Sequence, residues 1–147
     1  WDMQYCKVDF SFIFRDIINY ENSSEILLSC EIEKLKEKLD DLLNDRIAKE
    51  FELEFIEPNF MFHFSLKIKK EIYTINQEDT PKYFTTKPYL EWKINLWNDG
   101  LTSNYFSTTL DIDDIKALRC YLSLIMGTIT TDDKEVIKYM NKEIITE

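Results

Sequence analysis

Residues 51–69 read FELEFIEPNFMFHFSLKIK, two runs of strict apolar/polar alternation joined at Glu57-Pro58-Asn59. A period of two belongs to a strand with one buried face, and two such runs around a proline-containing turn form a hairpin. One face collects Phe51, Leu53 and Phe55 from the first strand and Phe60, Phe62, Phe64, Leu66 and Ile68 from the second. The other collects Glu52 and Glu54, then Met61, His63, Ser65 and Lys67, a charged and mixed surface with no catalytic constellation. Architecture is legible here and chemistry is nearly silent, which points toward a binding protein.

Working toward the N-terminus, Cys6, Val8, Phe10, Phe12 and Phe14 take the even positions while Lys7, Asp9, Ser11 and Arg15 fall on odd ones, the pattern of a long first strand. A loop is expected from Asn19 to Ser24, then a short strand at Ile26-Leu27-Leu28. Ile32, Leu35, Leu39 and Leu42 next recur at spacings of three and four, the stripe of an amphipathic helix of roughly four turns. Ser29 is the expected N-cap, and Glu31 and Glu33 in the first turn suit the positive end of the helix dipole.

Toward the C-terminus, Thr74 to Tyr89 carries Pro81, Pro88 and repeated threonines and reads as a loop. Leu90, Trp92, Ile94 and Leu96 then alternate with Glu91, Lys93, Asn95 and Trp97. Asn98-Asp99-Gly100 supplies the positive-φ residues of a tight hairpin, so a return strand runs to about Leu110. Asp111 and Asp114 bracket a helix start with Ile115, Leu118, Leu122 and Ile125 as its stripe and Gly127 as its C-cap. Thr131 is expected to cap a last helix carrying Val136, Ile137, Met140 and Ile144. The expectation is an α+β fold: an antiparallel sheet of about six strands with three helices covering one face, in a single domain spanning 1–147.

The composition supports a folded domain, with 147 residues, 44% apolar and 14% aromatic. Two glycines, Gly100 and Gly127, cannot write a glycine-rich phosphate cradle. Eighteen basic against 28 acidic residues give a net charge of −10, which disfavours nucleic acid and anionic membrane surfaces and favours a cationic partner. Cys6, Cys30 and Cys120 are widely separated and lack a C-x-x-C spacing, so neither a disulfide framework nor a zinc site is expected, and a reducing, cytoplasmic setting fits. No run of apolar residues is long enough for a membrane helix.

Candidate chemistry is sparse. His63, the one histidine, has neither a recognisable nucleophile context nor a His or Cys neighbour at ligand spacing. Asp111, Asp113 and Asp114 suggest a carboxylate cluster, but acid-rich helix starts recur at Asp132-Asp133 and Glu31/Glu33, the mark of capping. No catalytic residue, metal site or cofactor is therefore expected. More suggestive is the acidic row Glu50, Glu52, Glu54 and Glu57, whose carboxylates repel one another unless solvent, a lysine such as Lys67, or a cationic partner compensates. Trp97 places an indole on the nominal polar face of its strand, where it marks an interaction patch. Candidate contacts for a partner are Glu52, Glu54 and Glu91 on the strands, Trp97 and Asp99 at the second hairpin, and Asp111, Asp113 and Asp114 at the helix start.

The segment Leu28-Ser29-Cys30-Glu31-Ile32-Glu33-Lys34-Leu35, followed by Leu39, Leu42 and FELEFIEPNFMFHF, resembles the WapI-like immunity proteins of bacterial polymorphic toxin systems. EFIEPNF is the sharpest match, and Leu110-Asp111-Ile112-Asp113-Asp114-Ile115 with Leu118 and Leu122 is similar to the family's closing acid-rich helix. Trp1 corresponds to an early tryptophan of the family, which implies that an N-terminal strand precedes it. Ile72 to Tyr89 matches no family pattern. The resemblance implies a non-enzymatic protein that neutralises a co-encoded toxin domain, in some cases a ribonuclease. A different class, an adaptor or regulatory domain, is the alternative; an enzyme using carboxylates is the third.

Overall fold

A computed structural model describes residues 3–15, 17–65, 69–72, 82–85 and 89–142. Strands β1 (Tyr5–Phe14) and β2 (Ile18–Leu28) form a long antiparallel hairpin, with Arg15 at positive φ in its turn. The expected loop at Asn19–Ser24 is thus the body of a strand. Its inward positions are Tyr20, Asn22 and Ser24, partly buried opposite Phe12, Phe10 and Val8. Two of these three are polar, so no hydrophobic alternation announces the strand; the partner across the hairpin supplies the apolar surface.

Helix α1 (Ser29–Leu43) follows directly. Its N-cap is Leu28 rather than Ser29, which is the first helical residue and pairs with Gln4: Ser29 N donates to Gln4 O at 2.9 Å. The capping work falls to Glu31. One carboxylate oxygen accepts from Leu28 N at 2.8 Å and the other from Ile56 N at 2.7 Å, 25 residues away. Glu31 is buried as a result, joining the start of the helix to the end of the next strand.

Strands β3 (Phe51–Glu54) and β4 (Phe60–Phe64) realise the expected hairpin in the expected register, Leu53 opposite Phe62 and Glu52 opposite His63. β4 ends at Phe64, and Ser65 N then donates to Tyr89 O; Leu66, Lys67 and Ile68 lie outside the described residues. A separate two-stranded sheet pairs β5 (Lys69–Ile72) with β6 (Lys82–Thr85), so part of the stretch read as a loop is a strand. Strands β7 (Leu90–Trp97) and β8 (Leu101–Leu110) complete a four-stranded antiparallel sheet of order β3-β4-β7-β8.

One face of that sheet is the core. Phe62, Phe64, Leu90 and Ile94 meet Ile32, Leu35, Leu39 and Leu42 of α1 and Ile115 and Leu122 of α2 (Ile112–Ile125). The first hairpin closes the same face through aromatic contacts, Phe10 against Phe60 at 4.9 Å between ring centroids and Phe12 stacked on Phe106 at 4.2 Å. The fold is α+β, as the order of periodicities requires, with six of its strands in the hairpin and the four-stranded sheet.

α2 buries two stripes instead of one. Ile115 and Leu122 face the sheet, while Ala117 and Cys120 pack on Val136 and Tyr139 of α3 (Lys134–Met140). Ile125, expected on the stripe, is exposed at the helix end, where Gly127 at positive φ follows the Met126 cap. α3 begins later than expected. Asp133, not Thr131, caps it by accepting from Glu135 N at 2.8 Å, and Tyr139 takes the buried place expected of Ile137, which is exposed. Ile144 lies outside the described residues. No helix among the described residues is long and apolar enough to cross a membrane.

Candidate partner-binding site

The sheet's other face carries the acidic row. Register sets Glu52 beside His63 and His63 beside Glu91, with Glu54, Met61 and Lys93 in the next row. His63 Nδ1 lies 3.7 Å from Glu52 Oε1, Ser107 Oγ donates to Glu91, and Lys93 Nζ sits 4.1 Å from the centre of the Tyr105 ring. His63, Glu91 and Lys93 are half-buried. Glu52 and Glu54 are the exposed charges of this face.

Asp111, Asp113 and Asp114 are placed elsewhere. Asp111 Oδ1 accepts from Asp113 N at 2.8 Å and Asp114 N at 3.0 Å, and Asp114 Oδ2 accepts from Asp111 N at 3.1 Å, a reciprocal capping box. Leu110 pairs with Leu90 at one end of β7–β8, and Leu101 pairs with Trp97 at the other. An eight-residue strand separates the ends, so Asp111 and Asp99 stand roughly 25 Å apart along the sheet. The eight candidate residues divide among three places.

Trp97 and Asp99 gather new company at the far end. They line a cleft of about 520 Å³ with Glu21 and Glu25 of β2 and Glu57 and Asn59 from the β3–β4 turn. Asp99 and Gly100 both have positive φ, and Asn98 N donates to Gly100 O at 2.9 Å, which turns the chain tightly beside the cleft. Trp97 N donates to Tyr20 Oη at 3.3 Å, fixing β7 to β2 across the gap. Asn59 is 2% exposed; its carbonyl accepts from Asn95 N at 2.9 Å, while its side-chain Oδ1 has no partner. The Trp97 indole Nε1 is likewise buried and unpaired.

Among the described residues no lysine or arginine lines this cleft, and none of its four carboxylates makes an ion pair. Lys7, opposite Glu25 in the hairpin, lies 3.7 Å from Asp9 instead. The acidic row read from the sequence includes Glu57, but Glu21, Glu25, Tyr20 and Asn59 escape sequence reasoning. Glu21, Glu25 and Tyr20 belong to a strand whose pattern resembles a loop, Asn59 to the β3–β4 turn, and only the docking of the first hairpin brings them together beside Trp97.

A second cavity, about 450 Å³, lies between β1, α1, α2 and the inner sheet face. Its walls are apolar, including Val8, Phe10, Leu35, Phe62 and Trp92, with Tyr121 and Ile125 exposed at its edge. Cys120 is buried, and burial, then the nearby Glu135 and Asp133 carboxylates, push its thiol above the ordinary value, so it stays protonated at neutral pH. Among the described residues no three His, Cys, Asp or Glu side chains gather as a metal would need.

In comparison with known proteins, no family model, no curated protein and no solved structure matches this chain.

Proposed function

We propose that this chain is a non-enzymatic, cytoplasmic immunity protein that binds and neutralises a cognate bacterial toxin domain with a basic surface, such as a nuclease. The observation that carries the reading is the cleft at Trp97, lined by Glu21, Glu25, Glu57 and Asp99 and by no lysine or arginine among the described residues, in a chain of net charge −10. An uncompensated acidic concavity focuses its field outward. It attracts a basic protein and raises association rates by about one to three orders of magnitude, while repelling nucleic acid and anionic membranes. The resemblance of EFIEPNF and the acid-rich helix start to WapI-like immunity proteins supports the same reading.

The test is growth rescue: the chain is expressed beside the toxin domain encoded next to it, and both are purified together. Rescue with a stoichiometric complex is the expected result. No rescue, with the toxin active and both proteins folded, rejects the pairing. The reading then passes to an adaptor or regulatory domain, which the apolar cavity under β1 favours as a place for a small apolar group.

A further inference from the structure

We infer that the free edge of β8 is a strand-addition site, taking an extended segment of the protein partner, basic at its ends, as one more strand of the sheet. The inference deepens the binding-protein reading above and rests on it for the identity of the partner alone. The direction of the backbone groups follows from the register. Asn95 N donates to Asn59 O and Ser65 N to Tyr89 O, so the odd-numbered residues of β7 bond to β4 and the even-numbered ones to β8. In β8, Phe106, Thr108 and Leu110 therefore bond to β7, while Tyr105, Ser107 and Thr109 turn their N–H and C=O groups away from the sheet. All three are exposed, and the sheet order β3-β4-β7-β8 places no described strand beyond them.

Edge strands are ordinarily guarded against pairing by short length, charge or proline. At the opposite edge β3 has four residues and carries Glu52 and Glu54, and β1, β2, β5 and β6 each carry charged residues. β8 runs for ten residues, LTSNYFSTTL, with neither a charge nor a proline, in a chain that is 31% charged. Among the described strands with a free edge it is the unguarded one. Its inner face presents Phe106, stacked on Phe12, and its outer face Tyr105, Ser107 and Thr109. A strand laid beside it matches with apolar side chains on one face and small polar ones on the other. Exposed Asp99 stands just before β8 and exposed Asp113 just after it, so cations belong at the ends of the incoming segment. A second copy of this chain fits poorly. It brings another net charge of −10, and paired antiparallel about Tyr105 it sets Asp99 opposite Asp111 at both ends.

The site is testable without the toxin. In the free protein, hydrogen exchange followed by NMR is expected to be fast at the amides of Tyr105, Ser107 and Thr109 and slow at those of Phe106 and Thr108. Slow exchange at the first three overturns the proposal, because the edge is then already covered. The binding probe is the acetylated, amidated peptide KTVTVTVTK, titrated into isotope-labelled protein. Saturable shifts centred on Tyr105, Ser107 and Thr109 are expected in the millimolar range, with the acidic-ended peptide ETVTVTVTE binding about fivefold more weakly. Thr109→Pro removes an outward N–H and leaves the bonds to β7 in place, so it is expected to weaken the basic-ended peptide by about tenfold. Tyr105→Pro, at another outward amide, serves should the first variant unfold. No saturable shift in a protein whose spectrum remains dispersed overturns the site, as does equal binding of the acidic-ended peptide or undiminished binding to a folded proline variant. Concentration-dependent shifts of the same amides without peptide assign the edge to a second copy and overturn the foreign strand. The two readings fail separately: a toxin complex unaffected by Thr109→Pro overturns strand addition and leaves immunity standing. Peptide binding without toxin rescue leaves the strand-addition site and rejects the toxin as its partner.

Discussion

Glu31 shows how one side chain can carry two elements. Its carboxylate satisfies the amide of Leu28 before α1 and the amide of Ile56 after β3, and it is buried while doing so. Glu31→Ala leaves both amides unpaired, and a loss of about 3 kcal/mol is expected in urea unfolding. Glu31→Gln keeps one acceptor oxygen, and about half that loss is expected. A smaller loss in the alanine variant than in the glutamine variant refutes the bridging role. Phe64 is fully buried and stacks on Phe51 at 4.7 Å between centroids; Phe64→Ala should remove about 3–5 kcal/mol by the same measurement. The two residues differ in how far they can be read from sequence. Phe64 lies on an alternating stripe, so its burial is written locally. Half of Glu31's role is also local, the reach back to the N-cap, but the bond to Ile56 joins residues 25 apart and has no local signature.

At the scale of elements, α1 and α2 are tied by Arg119, which donates to Asp40 of α1 and to Glu135 of α3, while Lys36 adds a 3.0 Å bond to Asp40. Partial burial opposes ionisation of Asp40, but the hydrogen bonds from Arg119 and Lys36 outweigh it and hold the carboxyl below its ordinary value. A carboxylate with a depressed folded pKa stabilises the fold above its unfolded pKa, about 4, and that contribution disappears as pH falls through the folded value. Asp40→Asn is therefore expected to cost about 1–2 kcal/mol at neutral pH, with the gap from the parent protein closing as pH falls below about 4. Urea midpoints across that range provide the check, and a gap that widens toward acid contradicts the assignment. The Asp111 box behaves differently: Asp111→Ala should cost about 1 kcal/mol and leave partner binding intact, since its Oδ1 is engaged with both Asp113 N and Asp114 N. The helix start was legible because capping residues and the apolar stripe stand within one turn of each other. Thr131 and Ser29 were misleading for the same reason that they were attractive, since several residues near each start have capping side chains and only the path of the chain selects among them.

Across the whole molecule, charge and topology separate what a partner meets. Reversal of Glu21, Glu25 and Glu57 is expected to slow association with the basic partner by about tenfold or more and to flatten its dependence on salt. Reversal of Glu52 and Glu54, which lie beside His63 and near Lys93, is expected to have the smaller effect. Stopped-flow association at two ionic strengths decides between the surfaces, and a larger effect at Glu52 and Glu54 moves the contact to the sheet face. The sequence alone determined the α+β class, the two hairpins at Glu57-Pro58-Asn59 and Asn98-Asp99-Gly100, the stripe of α1 and the acidic start of α2, because period, turn chemistry and capping are properties of neighbouring residues. Only the tertiary structure decided that Ile18–Leu28 is one strand, that β5 and β6 stand in a sheet of their own, and that Trp97 shares a cleft with Tyr20 and Asn59. Tyr20 Oη and Trp97 N are 77 residues apart and meet at 3.3 Å. Such a contact depends on the packing of the first hairpin over Phe60 and Phe106, a free energy summed over distant apolar surfaces that no local pattern records.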